Sequence, residues 1–335
     1  MAKILRVGVN GLGRIGKCVT RALMDTSDIE IVVINSNKLI PKTAAYMLQY
    51  DSIHGRLNDR ILAQENSISY KNHIIAISDI SAIDSIDWSL YDVDIVLECT
   101  GVFNSKAQAY NHIKNGAKAV IVSAPCTDAD ATVILGVNNV PDNIVGKVIS
   151  VGSCTTNCLA VVIKPLHEAV EITSAFMTTV HSYTNDQCLI DSRHLDLRRG
   201  RAAESSIIPT STGAAKVIGE IIPTLRGKID GVAVRVPVQN VSMVDLTFTT
   251  NKQTSVDEIN EIMKKASLRM PHILDIIDEQ LVSIDFNHTT YSAIFDITQT
   301  KSVNNMLYRV AAWYDNEWGF SNRIINICKI ISINR

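Results

Sequence analysis

Gly8-Val9-Asn10-Gly11-Leu12-Gly13-Arg14-Ile15-Gly16 constrains the fold of this chain more than any other stretch. It contains G-x-G-x-x-G at Gly11, Gly13 and Gly16, it follows a strand-like run over Leu5–Asn10, and it opens a helical segment over 14–26. In that context the glycines permit a tight turn and a close approach of backbone to a pyrophosphate held at a helix N-terminus. Taken alone, the same pattern is only a turn that needs small residues. Further strand-like runs at Glu30–Asn35, Asp94–Cys99, Ala119–Ser123 and Val148–Val151, with a second helix at 105–115, continue the alternation. Strand–helix–strand repetition of this kind predicts a doubly wound, mostly parallel sheet with helices on both faces, the Rossmann arrangement. Residues 60–90 (ISISY, HIIAIS) interrupt the rhythm with a small antiparallel excursion.

The second half reads as a different α/β architecture. Runs at 231–238, 242–249, 281–287, 292–298 and 307–314 outnumber helices, which predicts an α+β domain with a largely antiparallel sheet. Residues 256–268 form a surface helix with Ile259, Ile262 and Met263 on one side, and 318–331 form a closing helix with Phe320, Ile324, Ile327 and Cys328 at helical spacing. The expected domains are therefore 1–153, completed by 318–335, and 154–317. A length of 335 residues accommodates two such cores.

A formal net charge of −2 gives no general attraction to nucleic acid or to an anionic membrane, and no apolar run approaches the length of a membrane span. The chain enters its first strand from Met1 without a leader-like segment, and its seven scattered cysteines form no disulfide framework. These features predict a cytoplasmic protein with free thiols.

Ser153-Cys154-Thr155-Thr156-Asn157-Cys158 places a thiol after a strand-like run (147–153) and ahead of a helix over 157–170 that Pro165 is expected to interrupt. Unpaired N–H groups and the helix dipole at that point favour thiolate over thiol. Thr178-Thr179-Val180-His181 supplies a base, so Cys154 and His181 are the candidate catalytic pair. The plainer reading is a buried structural cysteine. No H-E-x-x-H or zinc-type cysteine spacing occurs, so no metal site is expected.

Together these pieces resemble the phosphorylating glyceraldehyde-3-phosphate dehydrogenase family, over essentially the whole chain. The likeness rests on NGLGRIG at 10–16, YDSIHG at 50–55, ECTG at 98–101, SCTTNC at 153–158 and HSYTNDQ at 181–187. It extends through DLRRGRAAESSIIPTSTGAAK at 196–216, RVPVQNVS at 235–242 and WYDNEWGFSNR at 313–323. The resemblance implies reversible oxidation of glyceraldehyde 3-phosphate to 1,3-bisphosphoglycerate in glycolysis or gluconeogenesis. A Cys154 thioester, NAD or NADP as hydride acceptor and inorganic phosphate as second substrate come with it. It implies that Thr184 and Arg235 hold the substrate phosphate, and that Ser153, Thr155, Thr212 and Gly213, with charge from Arg199, line the pocket of the attacking phosphate. For the coenzyme it implies Gly11, Gly13, backbone of Arg14 and Ile15, Thr100, Ser123 and, at the carboxamide, Asn316. It further implies a homotetramer, with a loop from about Ser182 to Pro209 reaching a neighbouring subunit.

Three departures from the family pattern stand out. Ser36 occupies the place of the aspartate usual in NAD-specific members, with Lys38 nearby, and Ser192-Arg193 replaces a Leu-Pro pair. Both changes remove features hostile to a 2′-phosphate, so NADP use is expected. Phe320 stands where tyrosine is common. Residues 285–300 are as similar to the erythrose-4-phosphate dehydrogenases, which keeps a tetrose substrate as an alternative; the intact SYTNDQ at 182–187 favours the triose. A redox-sensing or binding protein on the same scaffold is the alternative outside enzymes. Cys158 is expected to pack inside, with a Cys154–Cys158 disulfide the other possibility under oxidation.

Overall fold

A computed structural model describes residues 4–126 and 128–333. Residues 1–3, where the leaderless start was read, and the last two residues of the expected 318–335 segment lie outside the described residues. The chain divides into two compact units: the described residues of Met1–Ile134, Asn138–Gly152 and Ser321–Arg335, and those of Leu135–Val137 and Ser153–Phe320.

The first unit is built on strands β1 (Leu5–Asn10), β2 (Ile29–Asn35), β3 (Ile61–Ala63), β4 (Ser67–Tyr70), β5 (His73–Ser78), β6 (Ile95–Glu98), β7 (Ala119–Val122), β8 (Ala131–Thr132) and β9 (Val148–Ser150). They form one sheet in the order β3-β4-β5-β2-β1-β6-β7-β9-β8. From β5 to β8 every pairing is parallel, while β3, β4 and β5 pair antiparallel as the 60–90 excursion. Every residue of β6 and β7 is buried, as expected of strands covered on both faces. Chain order reverses between β1 and β6, so a crevice opens beyond their carboxyl ends.

Helix α1 (Arg14–Leu23) stops three residues earlier than expected, where the Thr26 hydroxyl and amide both take the Leu23 carbonyl. Helix α2 (Pro41–Gln49) starts on a proline, whose missing N–H costs nothing at that position. The expected helix at 105–115 is two short pieces, α3 (Lys106–Ala109) and α4 (Asn111–Lys114), meeting at Tyr110.

The second unit holds helices α5 (Cys154–Val170), α6 (Ala214–Ile221) and α7 (Val256–Arg269). Its strands are β10 (Ile172–Ser182), β11 (Ile208–Ser211), β12 (Ile229–Val236), β13 (Ser242–Thr250), β14 (Leu274–Ile277), β15 (Ala293–Val303) and β16 (Leu307–Tyr314). Their order is β11-β12-β10-β13-β16-β15-β14; only β10–β12 and β14–β15 pair parallel. Strand β13 alternates buried and half-buried residues, the signature of a sheet with one covered face. Helix α7 is fixed at its start by a reciprocal Ser255–Glu258 capping box and buries Ile259, Met263 and Ala266. Helix α8 (Trp318–Ile333) closes the chain and belongs to the first unit from Ser321 onward.

Two expectations need correction. Pro165 does not interrupt α5, which runs unbroken to Val170. An internal proline costs roughly 3 kcal/mol, which the burial of Leu159 to Ile163 and Leu166 offsets. Residues 281–287 are not a strand: Ser283–Phe286 is a 3-10 turn that exposes Val282 and Ile284 and buries only Phe286, while β14 takes the place beside β15.

Candidate active site

Ser153 caps α5 in extended conformation, its Oγ accepting from the Thr156 amide at 3.1 Å, so Cys154 is the first residue of the helix. No acidic residue stands in the first turn. Burial raises the Cys154 thiol; Arg235, the Thr155 hydroxyl and backbone N–H groups pull it down without overcoming that effect. The backbone N–H groups at the helix start lower the thiol in the expected direction, and burial outweighs them. Because Cys154 keeps one accessible face, solvent relieves part of the burial penalty.

His181 lies near the end of β10, and its Nε2 is 3.6 Å from Cys154 Sγ. Nδ1 stands 2.6 Å from the Ser182 carbonyl, and Nε2 is the ring nitrogen that faces the sulfur. Parallel pairing of β10 with β12 sets His181 beside Arg235 in register. Arg235 Nη1 donates to the same Ser182 carbonyl at 3.0 Å, lies 2.9 Å from His181 Nδ1 and reaches Thr184 Oγ1 at 3.5 Å. Burial and the Arg235 charge push the His181 imidazolium down to about 3, with the Ser182 contact opposing them. Burial thus acts on both partners toward their neutral forms.

Beneath it lies Tyr314, at the end of β16, which belongs to the WYDNEWGFSNR stretch at 313–323 but carries no assigned role there. Its hydroxyl meets Thr155 Oγ1 at 2.9 Å and Thr179 Oγ1 at 2.8 Å, and its ring packs edge-on to His181. Asn316 Oδ1 accepts from Ser182 Oγ and Ser242 Oγ, both at 3.0 Å, which turns its NH₂ away as a donor. Asp315 receives the Glu317, Trp318 and His288 amides, so it holds the loop. Cys158 is buried and its thiol is raised well above the usual range.

The anion-binding candidates divide. Thr184 and Arg235 come together. Arg199 donates to Thr210 Oγ1 at 2.9 Å and to the Ser211 carbonyl, and pairs with Asp186. Thr212 Oγ1 accepts the Ala214 amide, and Gly213 stands open at the start of α6, with no atom within 4 Å of where a Cβ would lie. The hydroxyls of Ser153 and Thr155 are already engaged by the helix cap and by Tyr314. Ser192 and Arg193 are exposed, on a loop that also exposes Leu189, Ile190, Leu195 and Leu197.

In the first unit, Gly11, Gly13, Ser36 and Thr100 line one cavity beyond β1, β2 and β6, together with Asn10, Asn35 and Ile80. Gly11 has φ +95°, and a Cβ there would meet the Thr100 backbone at 2.8 Å. Helix α1 has no side-chain cap and no acid in its first turn, so its N-terminus suits an anionic group. Arg14 turns its guanidinium to Asp51 at 2.6 Å. Arg14, Ile15 and Ser123 do not line the cavity; Ser123 hydrogen-bonds the Cys99 thiol, which burial raises to about 12. Glu98, buried below Thr100, escaped the sequence reading; the signal was that β1, β2 and β6 each end an apolar run on a polar residue.

Comparison with known proteins gives a consistent picture. Residues 5–106 match the glyceraldehyde 3-phosphate dehydrogenase NAD binding domain, and residues 153–316 match the C-terminal domain of the same family. A glyceraldehyde-3-phosphate dehydrogenase of Cereibacter sphaeroides is 45% identical over 96% of this chain and 96% of its own length. The plasmid-encoded enzyme of Cupriavidus necator is 47% identical over 96% of this chain and 97% of its own, and that of Xanthobacter flavus 46% over 96% of each.

Proposed function

The chain belongs to the glyceraldehyde-3-phosphate dehydrogenase family of NAD-dependent oxidoreductases, and from that premise we propose how its own residues carry out the reaction. The supporting observation is the 3.6 Å approach of Cys154 Sγ to His181 Nε2, which the reading takes to be the unprotonated nitrogen. As sulfur bonds to the aldehyde carbon, the thiol proton moves to Nε2 and the carbonyl oxygen becomes a hemithioacetal hydroxyl after proton return. Charge separation thus arises only when substrate is present. His181 then removes that hydroxyl proton. A nicotinamide coenzyme, when bound, supplies the acceptor for the hydride that leaves this carbon, and a thioester remains on Cys154. A phosphate oxygen attacks the acyl carbon, the C–S bond breaks, and His181 returns the proton to sulfur.

Arg235 and Thr184 are proposed to grip the substrate phosphate, and Arg199, Thr212 and Gly213 the attacking one, as guanidinium and N–H groups suit phosphate oxygens. The amide of Asn316 is proposed as donor to the coenzyme carboxamide. Ser36, without a carboxylate in the following residues Asn37 and Lys38, supports NADP use alongside NAD. The exposed apolar loop around Leu189–Leu197 supports assembly into a homotetramer, and cytoplasmic residence fits the free thiols.

The test is Cys154→Ser. It is expected to abolish coenzyme-dependent oxidation of glyceraldehyde 3-phosphate while the circular dichroism spectrum stays unchanged; retained turnover refutes the nucleophile.

A further inference from the structure

A chain of buried polar side chains crosses the floor of the dinucleotide crevice, all within the first unit. Trp88 Nε1 donates to His112 Nδ1 at 3.0 Å, and His112 Nε2 meets Glu98 Oε2 at 3.0 Å. Asn10 Nδ2 donates to the same Glu98 oxygen at 2.6 Å, while the Thr100 amide donates to Oε1 at 2.7 Å and the Thr100 hydroxyl bonds to it as well. Beyond Asn10, Asn35 Nδ2 donates to Asn10 Oδ1 at 2.8 Å and to the Ile80 carbonyl at 2.9 Å, and Asn35 Oδ1 receives the Ile80 amide at 3.0 Å. Trp88, His112, Glu98, Asn10 and Asn35 are all at most 2% exposed.

The polarity of this chain is dictated from one end. An indole N–H can only donate, so His112 Nδ1 must accept and Nε2 must carry the proton toward Glu98. Asn10 must then present NH₂ to Glu98, because its oxygen is taken by Asn35. Glu98 thus meets donors on both oxygens, and those donors bracket the phosphate turn. Asn10 directly precedes Gly11, and Thr100 is the residue whose backbone lies 2.8 Å from where a Gly11 Cβ would stand. The Gly11 amide is tied to the Asn35 carbonyl at 2.7 Å.

We infer that Glu98 is a positioning residue that holds the Gly11–Gly13 turn in its coenzyme-binding shape before coenzyme arrives, with Trp88 and His112 fixing the direction of its hydrogen bonds. This rests on the crevice being the coenzyme site. Preorganisation of this kind lowers the ordering cost at binding, so its loss reads out as affinity.

The experiment measures equilibrium Kd for NAD and NADP on the coenzyme-stripped full-length protein, by calorimetry. Glu98→Gln keeps the shape but turns one acceptor into a donor facing donors, and is expected to weaken both Kd values about ten- to a hundredfold. Alkylation of Cys154 by iodoacetamide without coenzyme is expected to stay at the wild-type rate. The decisive arm is Glu98→Gln with Trp88→Phe. Without the indole donor, His112 is free to shift its proton to Nδ1 and accept from the new amide, so the double variant is expected to bind coenzyme more tightly than Glu98→Gln alone. A merely structural role predicts the reverse. If Glu98→Gln does not fold, Trp88→Phe alone tests the same point and is expected to weaken Kd by about threefold or more. Wild-type affinity in Glu98→Gln, no gain in the double variant, or wild-type affinity in a lone Trp88→Phe overturns the inference and leaves the coenzyme site intact. Absence of NAD and NADP binding in the wild type removes the coenzyme site and this inference with it.

Discussion

His181 and Arg235 sit side by side on paired parallel strands, and both reach the Ser182 carbonyl, so a permanent cation stands against the base that faces Cys154. Arg235 lowers the imidazolium of His181 and, by the same charge, favours the anion of Cys154. Pairing Arg235 with a phosphate dianion removes much of that charge, which raises the basicity of His181. With Arg235 gripping the substrate phosphate as proposed, substrate binding and activation of the base are expected to be linked. The acidic limb of kcat, which reports the substrate-bound enzyme, is expected to differ between glyceraldehyde 3-phosphate and unphosphorylated glyceraldehyde, and Arg235→Gln is expected to erase the difference. Identical limbs for both aldehydes in the wild type sink this link.

The resting thiol carries a separate consequence. Burial keeps the Cys154 thiol above its ordinary value, and the buried imidazole is neutral above about pH 3. The anion is therefore gained as pH rises, not as it falls. In coenzyme-free protein the rate of iodoacetamide alkylation is expected to climb through pH 9 without an earlier plateau. A plateau between pH 5 and 7 would instead reveal a preformed thiolate–imidazolium pair.

Coenzyme choice is open to a single charge. Ser36 lines the crevice at the end of β2 and lacks the carboxylate that repels a 2′-phosphate. Ser36→Asp is expected to lower kcat/KM for NADP by about tenfold or more while leaving NAD within a factor of about three. Steady-state rates with each coenzyme decide it, and an unchanged NADP rate rejects Ser36 as the discriminating residue.

What the sequence revealed, and what it hid, follows from the range of the interactions. The glycine turn and the helix start beside Cys154 are local, and each declares itself within a few residues. The pairing of His181 with Arg235 depends on strand register, and Glu98 meets Asn10 across 88 positions. Neither leaves a periodic trace. Local preference also misled: Pro165 sits inside an apolar helix, and in the alternating 281–287 Phe286 reaches a core while Val282 and Ile284 stay exposed.

Tyr314 touches the neighbours of both members of the proposed catalytic pair. Its hydroxyl bridges Thr155, next to Cys154, and Thr179, two residues before His181, and its ring edge meets the imidazole at a centroid distance of 6.0 Å. Tyr314→Phe keeps the ring and strands two hydroxyls in a dry site, which costs about 1–3 kcal/mol. A loss within that range is expected in the urea midpoint. Rotation of Thr155 would disturb the sulfur it neighbours but not the grip of Arg235 and Thr184 on a phosphate. The variant is therefore expected to lose several-fold in kcat with KM for glyceraldehyde 3-phosphate unchanged. An equal rise in KM would place Tyr314 in substrate binding, and an unchanged kcat would reduce it to ordinary core packing.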